Sequence, residues 1–280
     1  MEEMLWYNPS MDFKYIDVHT HVNLDAFAGD WEEIEKHTLA EGVAHINVGT
    51  DLETSRRAIE LAGQFEGVYA TVGLHPVRAS GETVPDKEDS RETFDSVVYR
   101  ELAKHPKVVA IGECGFDYYR VDKDTKKTQE EAFLTQIQLA NEIGKPLMLH
   151  IRDVKGSMEA YEDALTVLKK HAKVLGNVHF FAGTYEIAKQ FWEIGFTTSF
   201  TGVITFASEY DETIKNAPLD MLHAETDAPY VAPKPFRGQR NEPLHVREVY
   251  KRVAELRGQD AEDVRITLVQ NAQRLFCVSI

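Results

Sequence analysis

The chain has 280 residues, 43% hydrophobic and 28% charged, the balance of a soluble globular protein able to bury a sizeable core. Its formal net charge of −15 repels polyanions at long range and excludes an extended duplex-binding groove unless positive charge is concentrated locally. The N-terminal MEEMLWYNPSMDFK carries acids where a signal peptide needs bases, and no later segment has about 18 uninterrupted apolar residues, so a cytoplasmic protein with no membrane span is expected. Cys114 and Cys277 lie far apart without CxxC spacing, which argues against a disulfide framework and predicts two reduced, buried thiols.

Past an N-terminal extension, residues 1–14, short β-branched runs alternate with segments of helical period. The first strand is predicted at 15–20 (YIDVHT), followed by a helix over 30–41 that stops at Gly42. Strand 44–49 (AHINVG) leads to helix 53–65. Strand 68–74 (VYATVGL) leads through the turn-rich ASGETVPDKEDSRE, read as a solvated insertion, to helix 91–104. Strand 108–114 (VVAIGEC) precedes helix 127–143, and strand 146–151 (PLMLHI) precedes helix 155–173. Strand 177–182 (NVHFFA), helix 184–194, strand 196–202 (FTTSFTG), helix 209–216, strand 221–227 (MLHAETD) and helix 243–257 complete the series. Eight strand–helix units in strict succession predict an α/β fold, one (β/α)₈ TIM barrel over residues 1–280, with its active site at the C-terminal strand ends. Neither GxGxxG nor GxxxxGK(S/T) follows a strand, so no nucleotide cofactor is expected.

Side chains alternate along a strand, so His19 and His21 project to one face and can grip one ion together. Other strand ends carry the same kind of residue: Glu113 in AIGECGFDYYR, His150 in PLMLHIRD, His179 in NVHFFAG and Asp227 in LHAETDAPY. His75, in TVGLHPV, repeats the pattern. Buried charge is costly unless paired or metal-bound, and six such groups converging at one end of a barrel require a cation. Six ligands exceed the three or four that one zinc takes, which predicts two divalent ions bridged by Glu113 from the middle of the series. The donors suit Zn, Mn, Ni or Fe, and phosphoester chemistry often runs with Mg. Glu113 and Asp227 are the predicted catalytic residues, Asp227 both ligating and accepting the proton of the attacking water.

In order, the motifs DVHTH, VGLHP, AIGECGFDYYR, LHIRD, VHFFAG, FTGVITF, ETDAPYVAPKPFRGQRNEP and NAQRLF run from about Ile16 to Phe276. Together they resemble the TatD-type metal-dependent deoxyribonucleases of the amidohydrolase superfamily. The resemblance implies a TIM barrel with one metal on His19, His21, Glu113 and Asp227 and a second on Glu113, His150 and His179. It implies phosphodiester hydrolysis on DNA, often from the 3′ end, with Arg152 as a phosphate contact and RGQRNEP on the substrate side. Some relatives are linked to cleavage of aminoacyl-tRNA esters, so the substrate does not follow from the fold. Departures from the family pattern are the insertion before Asp25, Ala182 where a serine is usual, the long connection after His75 and the N-terminal extension.

Lys234, Arg237 and Arg240 in the loop after the eighth strand, with Arg120 and Arg152, form a basic rim on an acidic body. Such a rim seats a few phosphates, which fits DNA ends or short single strands as the substrate. The alternative is that these arginines pair with Glu225, Glu242 and Asp153. His75 is either a donor supporting the site or a histidine satisfied by a backbone carbonyl, Glu225 either positions a ligand or makes a structural ion pair, and Phe236 and Tyr230 either stack on a base or pack. Two other functions remain open: hydrolysis of another ester, an amide or a lactone, and a non-catalytic metal-binding scaffold.

Overall fold

The computed structural model describes residues 13–80 and 92–280, so the N-terminal extension up to residue 12 and most of the turn-rich connection lie outside the described residues. The chain runs β1 (Tyr15–Thr20), α1 (Trp31–Ala40), β2 (Val43–Val48), α2 (Leu52–Gln64), β3 (Val68–Val72), α3 (Pro76–Ser80), α4 (Ser96–Leu102) and β4 (Val108–Asp117). It continues through α5 (Lys126–Ile143), β5 (Leu147–Arg152), α6 (Glu159–His171), β6 (Gly176–His179), α7 (Tyr185–Glu193) and β7 (Thr197–Phe200). The last elements are α8 (Asp211–Asn216), β8 (Leu222–Ala224), α9 (Val246–Arg257) and α10 (Ala261–Phe276). All eight strands are parallel in the order β1 to β8, and they curl into a nearly closed (β/α)₈ barrel as the alternation predicts. Just past β8 the seam to β1 is bonded: the Asp227 amide donates to His19 O at 2.9 Å and the His21 amide to Ala228 O at 2.8 Å.

Strands buried on both faces, such as VAHINV in β2, explain why apolar runs rather than clean alternation mark the barrel staves. Helices start where a side chain can satisfy free amides. Asp51 and Thr54 form a reciprocal cap on α2, at 2.8 and 3.0 Å, and Asp260 accepts from Glu262 and Asp263 to start α10. Inside α1, the buried Glu35 accepts from Asn47 Nδ2 at 3.0 Å and lies 2.7 Å from His45 Nε2. Asn47 Oδ1 in turn takes the Val22 amide at 3.0 Å, which fixes the chain immediately after His21.

Several expectations are corrected. α10 was not among the predicted helices, although Val264, Leu268, Ala272 and Phe276 give it a buried helical stripe. Cys277 is exposed, and only Cys114 is buried. Strand four runs on to Asp117 instead of stopping at 114, because its register shifts between Ile111 and Cys114 and pairing with β5 then resumes. At that irregularity the Gly112–Glu113 peptide is cis, Gly112 has φ 148° and a Cβ on it would collide with Met148 O, so this approach needs glycine. Glu113 therefore sits within β4, where its amide donates to Gly49 O at 3.0 Å. Strand eight is shorter than predicted, ending at Ala224, and Asp227 lies beyond it with φ 53°, a left-handed conformation that Asp tolerates better than most residues.

Candidate metal centre

His19 in β1 and His21 just past its end converge on one point, with their Nε2 atoms 3.1 Å apart. The Val48 carbonyl, 2.9 Å from His21 Nδ1, takes the proton on that nitrogen and leaves the Nε2 lone pair facing inward. Glu113 Oε2 lies 3.7 and 3.8 Å from the two Nε2 atoms, and Asp227 Oδ1 lies 3.8 and 3.4 Å from them. Two imidazole nitrogens and two carboxylate oxygens turned to a common point are a donor set that fits a divalent cation such as zinc.

A second cluster uses the other oxygen of the same carboxylate. Glu113 Oε1 lies 2.7 Å from His150 Nδ1 and 2.9 Å from His179 Nε2, and those two nitrogens are 3.2 Å apart. His150 Nε2 is 3.0 Å from Asp117 Oδ2, a contact that orients the ring with Nδ1 toward Glu113. On the far side of His179, Glu225 Oε1 is 3.5 Å from Nδ1, and Glu225 is itself held by Ser199 Oγ at 2.6 Å and the Phe180 amide at 2.5 Å. Both triads, His19–His21–Glu113 and Glu113–His150–His179, bring one donor atom from each residue within 4.8 Å of one another.

Burial drives the charge states apart. His19 is held well below the ordinary histidine value by desolvation and by His179 nearby. Burial also opposes ionisation of Glu113, yet the His179 and His75 imidazoles and the His150 contact bring it well below the usual carboxylate range. His179 is pushed well above its ordinary value because Glu113 and Glu225 outweigh its own desolvation. Asp117 stays low despite burial, since His150 and the Arg120 amide both donate to it.

A cleft of about 480 Å³ opens above these groups. His75 after β3, Arg78 in α3, Arg120 in the β4 loop and Arg152 at the end of β5 line it, with Phe180 and Tyr230 from the β6 and β8 loops. His75 Nδ1 accepts the Val77 amide at 3.1 Å, so its proton sits on Nε2, 3.6 Å from Glu113 Oε1, and burial keeps the ring neutral. The structure thus brings His19, His21, His75, Glu113, His150, Arg152, His179 and Asp227 to one end of the barrel. Of the predicted substrate contacts, neither Arg240 nor Arg237 lines the cleft itself. Arg240 is engaged by Asp30 through two bonds of 2.9 and 2.5 Å and by Ala26 O, and Arg237 lies 3.8 Å over the Phe206 ring. Phe236 stacks on His245 at 3.8 Å, so one of its faces is taken. Asp117 and Arg78 were not singled out in the sequence. Asp117 shares the even spacing of Glu113 on β4, a signal hidden by ending that strand at 114, whereas Arg78 has no local signature.

Residues 16–277 match the family described as TatD related DNase. The chain belongs to this family. Among its relatives, the uncharacterized metal-dependent hydrolase YabD of Bacillus subtilis is 39% identical over 268 residues, spanning 94% of this chain and 99% of that one. A 3′–5′ ssDNA/RNA exonuclease TatD of Escherichia fergusonii is 32% identical over 273 residues, spanning 94% and 99%. The crystal structure of the TatD homolog YjjV from Escherichia coli aligns with a TM-score of 0.81 at 28% identity, covering 96% of this chain and all of that one. This TatD-family chain is a metal-dependent hydrolase whose histidine, glutamate and aspartate clusters are able to bind metal. Among the described residues, no helix is long and apolar enough to cross a membrane.

Proposed function

We propose that this protein hydrolyses phosphodiester bonds in nucleic acid, working from DNA ends or short single strands, with residues 1–280 acting as one catalytic domain. His19, His21, Glu113 and Asp227 would hold one divalent ion, and Glu113, His150 and His179 a second. The observation that carries this reading is Glu113, whose two oxygens each face a separate pair of imidazole nitrogens, at 3.7–3.8 Å and at 2.7–2.9 Å. Bound divalent ions supply Lewis acidity, lowering the pKa of water and offsetting charge on phosphoryl oxygens. Asp227 accepts the proton of the attacking water. The His75 Nε2–H and the Arg78, Arg120 and Arg152 guanidiniums orient the phosphate, a local concentration of positive charge on a body of net charge −15. Arg240, tied to Asp30, positions the β8 loop. The Escherichia fergusonii relative, named a 3′–5′ ssDNA/RNA exonuclease, supports this substrate class.

Incubation with end-labelled single-stranded DNA, RNA and small phosphodiesters is expected to give cleavage that a chelator abolishes and added divalent metal restores. Cleavage of an aminoacyl ester or a lactone by metal-replete protein that leaves every phosphodiester intact would replace this reading. Because Asp117 orients His150, Asp117→Ala is expected to weaken divalent-metal affinity by about 10–100-fold in titrations of the stripped, folded protein. Unchanged affinity would remove Asp117 from the site.

A further inference from the structure

Among the described residues, the exposed Phe and Tyr side chains are Tyr119 at 57%, Phe206 at 41% and Tyr230 at 50%. Single exposed aromatics are ordinary. These three all sit in loops past the C-terminal ends of strands, after β4, β7 and β8; Tyr230 lines the cleft, and Tyr119 and Phe206 belong to loops whose Arg120 and Val203 line it. Two of the rings carry a guanidinium on one face, Arg152 at 4.3 Å over Tyr119 and Arg237 at 3.8 Å over Phe206. An arginine on one face steadies a ring while the remaining exposure leaves the other face available.

The Tyr119 backbone is also tied to the histidine–carboxylate cluster. Asp117 Oδ1 accepts the Tyr119 and Arg120 amides at 2.9 and 2.7 Å, and Oδ2 of the same carboxylate lies 3.0 Å from His150 Nε2. Phe206 is held by its amide to Val203 O at 3.1 Å, and Val203 lines the cleft. The Lys234 amide donates to Thr205 Oγ1 at 2.8 Å, joining the loop that carries Phe206 to the loop that carries Arg237. β4 and β7 are well apart around the barrel, so the two rings address different parts of a bound strand.

We propose that Tyr119 backed by Arg152, and Phe206 backed by Arg237, are stacking platforms for unpaired bases flanking the bond over the cleft. This rests on the nucleic-acid reading above and adds how the strand is recognised. Every base presents a π-face, so such recognition tolerates any sequence, favours purines through larger overlap, and disfavours duplex, whose bases are already stacked. The arginines behind the rings meet the adjoining phosphates.

The test is equilibrium binding of metal-loaded protein to a short nuclease-resistant oligonucleotide carrying fluorescent 2-aminopurine in its last two positions. Stacking on a ring quenches this base. Tyr119→Ala is expected to weaken binding about tenfold and relieve part of the quench, Tyr119→Trp to restore both, and Phe206→Ala to act alike at the other base. Thermal midpoint and bound metal should match the parent, as a merely structural role would not allow. Abasic residues at the same two positions test the unaltered protein, so the result does not depend on any variant folding; each is expected to cost about tenfold in affinity. Parental affinity for the abasic strands, or a quench unchanged in both alanine variants, overturns the platforms. Since binding is read without turnover, a protein that binds and quenches but cleaves nothing overturns only the hydrolytic reading.

Discussion

Glu113→Ala is expected to lower kcat/KM for phosphodiester cleavage by at least about 10³-fold, because charge stabilisation by a metal pair is worth several kcal/mol and each ~1.4 kcal/mol is tenfold in rate. Among the described residues, Glu113 is the one carboxylate that faces both histidine pairs, with Oε2 toward His19 and His21 and Oε1 toward His150 and His179. Its loss should lower the metal content of the purified protein as well as its rate. The fold should persist, since the bond of residue 113 to Gly49 O is made by the backbone amide and glycine at 112 is untouched. Steady-state kinetics, metal analysis and circular dichroism together decide the matter. Full activity in a folded variant would defeat the bridging role.

Asp227→Asn should lower kcat by about 10²–10⁴-fold, the span associated with loss of a general base. Asparagine is the informative replacement because residue 227 has φ 53°, which Asn adopts nearly as readily as Asp, so the backbone bond from residue 227 to His19 O is kept. An amide still offers an oxygen toward His21 Nε2, now 3.4 Å from Oδ1, but cannot take up a proton. Metal content should therefore fall less than turnover. A kcat within twofold of the parent would assign proton transfer to another group.

The barrel was legible because parallel strands covered on both faces leave apolar runs, and those runs recur eight times. His19 and His21 were legible for a related reason, as strand periodicity alone puts them on one face. What escaped depends on contacts far along the chain. Asp117 was hidden because the sequence GFD after Cys114 reads as the end of a strand, whereas the irregularity at Gly112 lets β4 continue. Arg240 reads locally as part of a basic loop, yet its partner Asp30 lies 210 positions away and no nearby pattern announces it. The left-handed turn that aims Asp227 inward is likewise tied to the first strand, through the Asp227 amide to His19 O, a partner more than 200 positions away.

The seam between β1 and β8 has a temporal meaning. His19 and His21 are translated early and Asp227 late, and the two amide bonds that set them side by side need Ala228 as well. A nascent polypeptide still short of that point holds the opening histidines without their carboxylate partner or a closed wall behind them. The metal-dependent site is thus complete only once the ribosome has passed the last stave, and truncated products of interrupted synthesis should lack it.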